Sequence, residues 1–247
     1  MAKVFEVRWE GDLPAPPGEV WDAFTVHTAG WYWRIEYEPW VGGAERGLSS
    51  GDGRVTVWDP ARRFKTRVEL DGDKFNELDY VLERRGSGTH LRYVHRGGID
   101  ENDFDREFDA CRQHTAFYYH SLGEYLSHFR GRNAAYFRAE APESSAVGGF
   151  AAMRRALGVA EDVAIGDGVR LTPAGMAPIE GVVDYATDAF LGIRAADALY
   201  RFYGRDEWGW PVGVAHHLFA DGADEAAGER AWSKWLDDVF ATTEVVA

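Results

Sequence analysis

Apolar and polar residues alternate in several short stretches of the first hundred positions, which is the period of a β-strand with one buried face. Turn signals such as Gly86-Ser87-Gly88 separate these stretches, and this spacing is typical of an antiparallel meander. A short helix is predicted after the first stretch, because Val20 and Phe24 share a helical face and Pro17 suits a first turn. The predicted strands cover residues 4–10, 54–60, 64–70, 75–83 and 90–97.

The period then changes to three or four residues, which predicts one long amphipathic helix from Phe104 to Phe129. A mixed segment with Pro142 follows. Beyond it the same order returns in shorter form: a strand, a short helix, several strands and a closing helix over residues 226–241. We therefore predict two related α+β domains, residues 1–132 and 133–247.

Composition and charge narrow the function classes. The chain of 247 residues carries a net charge of −14, and 45% of it is hydrophobic. A basic stripe that would neutralise phosphates is missing, so a nucleic-acid partner is not expected. A single cysteine, the lack of a secretory pattern and the lack of a long apolar run predict a cytoplasmic protein without a membrane span.

The segment HTAGWYWRIEYEPW, residues 27–40, concentrates large aromatic side chains. Three interpretations are open for it: part of the core, the wall of a pocket, or a surface for a partner. Since aromatic side chains often enclose ligand sites as well as fill cores, the segment alone does not decide among them.

Five motifs in order carry a resemblance to a known family. They are PPGEVWDAF, then Trp31 with Trp33, then Gly42-Gly43, then GDGRVTVWDPARRF, and finally GSGTHLRYVHRGG before the long helix. This series resembles the SRPBCC (START-like) superfamily, in particular homologues of the activator of the heat-shock-protein-90 ATPase. The match covers about the first 130 residues, whereas residues 133–247 share only the order of elements.

The resemblance implies a helix-grip fold, in which a curved antiparallel sheet wraps a long C-terminal helix and leaves a cavity between them. Members of the superfamily include cyclases and dehydratases of polyketide biosynthesis and lipid carriers, so the fold does not select one activity. It also implies that the Trp-x-Trp element borders the cavity. We expect one of Trp31 and Trp33 to anchor the segment in the core and the other to line the cavity mouth with Tyr37.

Strand alternation predicts the polar groups of that cavity, because residues two apart face the same side. If Leu78 faces inward, so do Asn76 and Tyr80 on the same strand. If Leu91 faces inward, so do Tyr93 and His95. The alternative is that these groups meet water at strand ends. The candidate ligand-binding residues are Trp31, Trp33, Tyr37, Thr66, Asn76, Tyr80, Tyr93, His95, Phe108 and Cys111.

Catalytic and metal-binding patterns are weaker. Glu107, Cys111 and His114 share a helical face, which a nucleophile with its base would require. However, Cys111 continues the apolar stripe, and we favour a buried core cysteine. The histidines form no metal-binding motif, and no metal or cofactor is expected. Trp208 and Trp210 lie in a predicted hairpin, either as a contact surface or, as we favour, closing the second core.

The leading hypothesis is a protein that binds an apolar or aromatic small molecule between the sheet and the long helix of the first domain. One alternative is an enzyme of the cyclase, dehydratase or hydrolase kind, with Tyr93 and His95 as its acid and base. Another is a chaperone-related interaction module with a protein partner or a second copy of the chain.

Overall fold

The computed structural model describes residues 2–48, 51–72 and 74–241. Its residues fall into two compact units, Met1–Asn133 and Ala134–Ala247. The ends of the two predicted domains at residues 1 and 242–247 lie outside the described residues. Each unit contains one antiparallel sheet and its own helices.

The first unit has a seven-stranded sheet in the order β1-β7-β6-β5-β4-β3-β2. Its strands are β1 (Ala2–Leu13), β2 (Glu36–Tyr37), β3 (Ala44–Arg46), β4 (Gly53–Asp59), β5 (Arg63–Glu69), β6 (Phe75–Arg85) and β7 (Gly88–Asp100). Its helices are α1 (Pro17–Thr25) and α2 (Phe104–His128), with single 3-10 turns at Thr28–Gly30 and Glu101–Asp103.

The first unit follows the predicted pattern of hydrophobicity. The strands from β4 to β7 pair in sequence order as a meander, and β1 pairs with β7 along its whole length. Pro17 opens α1 in the position where a missing N–H is tolerated. The long helix α2 buries the side that carries Leu122 and Leu126. The strands β2 and β3 were not predicted, because two or three residues are too short to show a period.

The second unit has a six-stranded sheet in the order β8-β13-β12-β11-β10-β9. Its strands are β8 (Ala135–Glu140), β9 (Gly168–Leu171), β10 (Ile179–Ala186), β11 (Phe190–Ala195), β12 (Ala198–Tyr203) and β13 (Gly213–Leu218). Its helices are α3 (Gly149–Ala156) and α4 (Glu225–Ala241), with 3-10 turns at Glu143–Ala146 and Arg205–Trp208.

A buried ion pair crosses the sheet of the second unit. The Arg201 guanidinium, at 0% side-chain exposure, donates from Nη1 to both oxygens of Asp184 at 2.9 Å. Gly192 lies beside the pair, and a Cβ there would come within 2.3 Å of the Asp184 carboxylate. The pair therefore needs glycine at this position. Trp208 is buried, and its ring lies 6.0 Å from the ring of Phe190, between centres.

Both units thus have the helix-grip order of elements, in which a first strand, short helices and a meander end in a long helix. The predicted α+β fold class of two helix-grip units is confirmed. Among the described residues, no helix is long and apolar enough to cross a membrane.

Candidate functional site

A cavity of about 110 Å³ lies between the sheet and α2 of the first unit. Strands β6 and β7 supply one wall, α2 the opposite wall, and the segment after α1 closes one side. Its lining is aromatic and polar. The lining residues are Trp31, Tyr32, Tyr80, Tyr93, His95, Cys111, His114, Thr115, Tyr118 and Tyr119.

The strand and helix periods determine which side chains reach this cavity. Tyr80 and Tyr93 are cross-strand partners, with ring centres 5.1 Å apart. His95 lies two positions after Tyr93 and therefore faces the same side of the sheet. On α2, Cys111, Thr115 and Tyr119 follow at intervals of four, which places them on one helical face.

A hydrogen-bonded row of three side chains joins the sheet to the helix at this cavity. His95 Nε2 lies 2.5 Å from Asn76 Oδ1, and His95 Nδ1 lies 3.2 Å from Cys111 Sγ. An amide oxygen accepts hydrogen bonds and does not donate them, so Nε2 carries the imidazole proton. His95 Nδ1 is then left as the acceptor for the thiol of Cys111.

Burial keeps this row neutral. It lowers the pKa of His95 to about 4, because the protonated ring loses its hydration. For the same reason it raises the pKa of the Cys111 thiol to about 12. Burial also raises the pKa of Tyr93 and Tyr119 well above the ordinary value, with smaller contributions from neighbouring groups. At neutral pH the pair is a thiol and a neutral imidazole, surrounded by protonated phenols.

Trp31 fixes the segment that closes the cavity. The side chain is 3% exposed, and its Nε1 donates to the carbonyl oxygen of Ala23 at 2.9 Å. Its ring also contacts Tyr119, with the centres 5.8 Å apart. Trp31 therefore both anchors the segment in the core and lines the cavity.

Trp33 and Tyr37 lie outside the lining, contrary to the expected division between two tryptophans. Trp33 stacks on Tyr32 at 3.6 Å between ring centres, and its Nε1 donates to the Gly47 carbonyl at 2.7 Å. Tyr37 packs edge-on against Phe64. A run of adjacent aromatic residues has no period, so sequence alone could not tell which ring points inward.

The other predicted ligand-binding residues also divide into those that line the cavity and those that do not. Tyr80, Tyr93, His95 and Cys111 line the cavity. Asn76 reaches it only through its contact with His95. Thr66 is buried in β5, and Phe108 packs on Phe5. Tyr32, His114, Thr115, Tyr118 and Tyr119 line the cavity but were not among the candidates; continuing the four-residue spacing from Cys111 would have found Thr115 and Tyr119.

The second unit has a larger and more open hollow of about 480 Å³ between its sheet and α4. Apolar side chains such as Phe137, Leu218 and Trp232 dominate its lining, with Glu180 and Tyr200 among the polar members. This hollow offers space, whereas the cavity of the first unit combines space with hydrogen-bonded polar groups. Among the described residues, no group of three His, Cys, Asp or Glu side chains is arranged to hold a metal ion.

The order of elements and the two antiparallel sheets define a tandem helix-grip protein. No protein-family model matches the chain, and no curated protein sequence matches it. Similar solved structures include protein MLL2253 from Mesorhizobium loti, with 20% identity, a TM-score of 0.44, and 50% of this chain and 97% of that chain covered.

Two further solved structures are similar to this chain. The Aha1 dimer from Colwellia psychrerythraea is 20% identical over 49% of this chain and 96% of its own, with a TM-score of 0.41. DynU16, from the dynemicin biosynthetic locus, is 16% identical over 96% of this chain and 97% of its own, with a TM-score of 0.42. At these identities and TM-scores the likeness concerns the fold alone.

Proposed function

We propose that the first unit binds an uncharged small molecule and holds an aromatic ring of it between the sheet and α2. The observation that carries the proposal is the cavity of about 110 Å³, in which polar side chains converge among aromatic ones. Such an arrangement of an apolar hollow with a few placed polar groups is the usual form of a ligand site.

The size and charge of the cavity support this ligand class. An engineered apolar cavity of about 150 Å³ accepts benzene, so the space of about 110 Å³ here limits the buried part of a ligand to one ring at most. Among the residues that line the cavity in the described part of the chain, none is Lys, Arg, Asp or Glu. A charged ligand would lose its hydration without gaining an opposite charge, and an uncharged ligand avoids that cost.

Binding is tested with phenol and indole as probes, by isothermal calorimetry on the whole chain. Thr115→Leu places additional methyl groups in the cavity and is expected to weaken binding at least about tenfold, which corresponds to losing the burial of part of a ring. The matched control is Thr56→Leu, since Thr56 is exposed on β4 and outside the lining. Equal affinities in both variants, or no saturable binding by the folded wild type, would contradict the proposal.

A further inference from the structure

The cavity contains a thiol that lies in hydrogen-bond contact with an imidazole from another element. The sequence places Glu107 and His114 on the helical face of Cys111, yet the structure brings His95 of β7 to it instead, with Nδ1 3.2 Å from Sγ. His114 directs its Nδ1 to the carbonyl oxygen of Ala110 at 2.7 Å. The potential base of Cys111 therefore comes from the sheet.

The far side of the imidazole is held as well. Asn76 Oδ1 accepts from His95 Nε2 at 2.5 Å, which fixes both the tautomer and the orientation of the ring. Phe5 of β1 supports the ring edge-on, with centres 4.9 Å apart. Thiol, imidazole and amide in this order form the constellation that cysteine nucleophiles use for acyl transfer, and this constellation recurs on unrelated folds.

We propose that Cys111 is the nucleophile, His95 the general base and Asn76 the positioning residue of an acyl-transfer site that hydrolyses small uncharged aryl esters or thioesters. The inference rests on the proposed function, because the same cavity must admit the substrate. The lack of fixed charge in the lining fits a neutral ester. It also favours release of the product, since the carboxylate formed is better hydrated outside.

The reaction balances with water as the second substrate. In acylation the S–H bond of Cys111 breaks, its proton passes to His95 Nδ1, and sulfur bonds to the carbonyl carbon. The bond from that carbon to the leaving oxygen or sulfur then breaks, and the leaving atom takes the proton from Nδ1. In deacylation water attacks the thioester and gives a proton to Nδ1, the C–S bond breaks, and Sγ recovers the proton.

The tyrosines of the cavity form a hydrogen-bonded chain. Tyr93 and Tyr119 line the cavity and remain protonated because burial raises their pKa. Tyr119 hydrogen-bonds through its side chain to Tyr93 and to Tyr80. A phenol that stabilises the oxyanion of the tetrahedral intermediate therefore has to redirect its O–H from one of these partners.

The test uses p-nitrophenyl acetate, an uncharged single-ring ester, on the whole chain. Intact mass spectrometry with peptide mapping is expected to show one acetyl group on Cys111, and Cys111→Ala to lose it. His95→Gln is expected to slow single-turnover acetylation at least about a hundredfold, the usual contribution of a general base. His128→Gln is the matched control, since His128 lies at the end of α2, the helix that carries Cys111, and outside the lining.

The pH profile distinguishes a catalytic base from a packed cysteine. With neutral His95 as the base, acetylation is expected to be flat from about pH 5.5 to pH 8.5, whereas a lone thiol gains about tenfold per pH unit as its thiolate forms. The other titratable groups that line the cavity are His114 and the tyrosines Tyr32, Tyr80, Tyr93, Tyr118 and Tyr119, and from β1 the neighbour is the non-ionisable Phe5. Acetylation of His95→Gln at the wild-type rate would place the base elsewhere and overturn the inference.

Two outcomes separate this inference from the proposed function. Saturable phenol binding without acetylation of Cys111 would overturn the acyl-transfer site and leave the binding function intact. Neither binding nor acetylation would overturn both. If His95→Gln proves poorly folded, His95→Ala with added imidazole replaces it, and recovery of acetylation with imidazole concentration is the supporting result.

Discussion

The neutral state of His95 makes the stability of the first unit depend on pH in a way that can be calculated. Its pKa is lowered from 6.5 to about 4 because burial disfavours the charged ring. Between these two pKa values the His95 ring is therefore protonated in the unfolded chain and neutral in the folded unit. Stability from this group is fully present above pH 6.5 and is lost as the pH falls through 6.5 towards 4.

The magnitude follows from the two pKa values. Between about pH 7.5 and about pH 5 the unfolded state gains protonation free energy that the folded state does not, and the difference amounts to about 2 kcal/mol. His95→Gln removes the titrating group but keeps a side-chain amide near Asn76. When the pH falls over this interval, the free energy of unfolding of the variant is thus expected to decrease by about 2 kcal/mol less than that of the wild type.

The measurement is urea unfolding at both pH values, followed by pulse proteolysis and mass spectrometry, which assigns surviving fragments to one unit. Val55→Ala is the control, because Val55 is a buried core residue on β4 and its replacement changes no ionisable group. It should lower stability equally at both pH values. Identical pH dependence in wild type and His95→Gln would refute the assignment of a neutral, buried imidazole.

Two further predictions concern packing and charge. Asp184→Asn should destabilise the second unit by about 3 kcal/mol, because the buried Arg201 guanidinium loses its counter-charge. Glu180→Gln breaks the exposed ion pair with Arg170 and should change the stability by less than about 1 kcal/mol. Urea unfolding of the second unit measures both changes. Gly123→Ala should stabilise α2 by about 1 kcal/mol, since a Cβ there meets no atom within 4 Å, while Gly228→Ala should destabilise the second unit because its Cβ would lie 2.3 Å from the Phe137 ring. Shifts of the same sign at both glycines would contradict the packing argument.

The sequence predicted the elements with a clear period and the side chains whose direction follows from it. Alternation along β6 and β7 placed Tyr80, Tyr93 and His95 on one face, and the helical stripe placed Cys111 opposite them. The contact between Cys111 and His95 could not be predicted, since it depends on the distance at which α2 crosses the sheet. That distance is set by packing of the whole core and leaves no pattern in the residues themselves.

The aromatic segment after α1 shows the same limit at shorter range. Both Trp31 and Trp33 need an acceptor for the indole N–H, and each finds a backbone carbonyl, Ala23 for the first and Gly47 for the second. Their different exposure follows from where those carbonyls lie in the fold. The resemblance implied that one tryptophan would anchor the segment and the other would line the cavity, whereas Trp31 does both.

The desolvation of the cavity links the proposed binding and the proposed chemistry. Burial lowers the pKa of an imidazole and raises the pKa of thiols and phenols, so every ionisable group with a shifted pKa in the lining is driven to its neutral form. A site of this kind accepts uncharged molecules and cannot rely on a preformed thiolate. If Cys111 reacts, its proton must move during bond formation, and His95 Nδ1 is the acceptor in hydrogen-bond contact. The same burial that favours an uncharged ligand therefore means that a reaction of Cys111 requires a general base. The neutral His95 ring, which Asn76 orients, is in the position to act as that base.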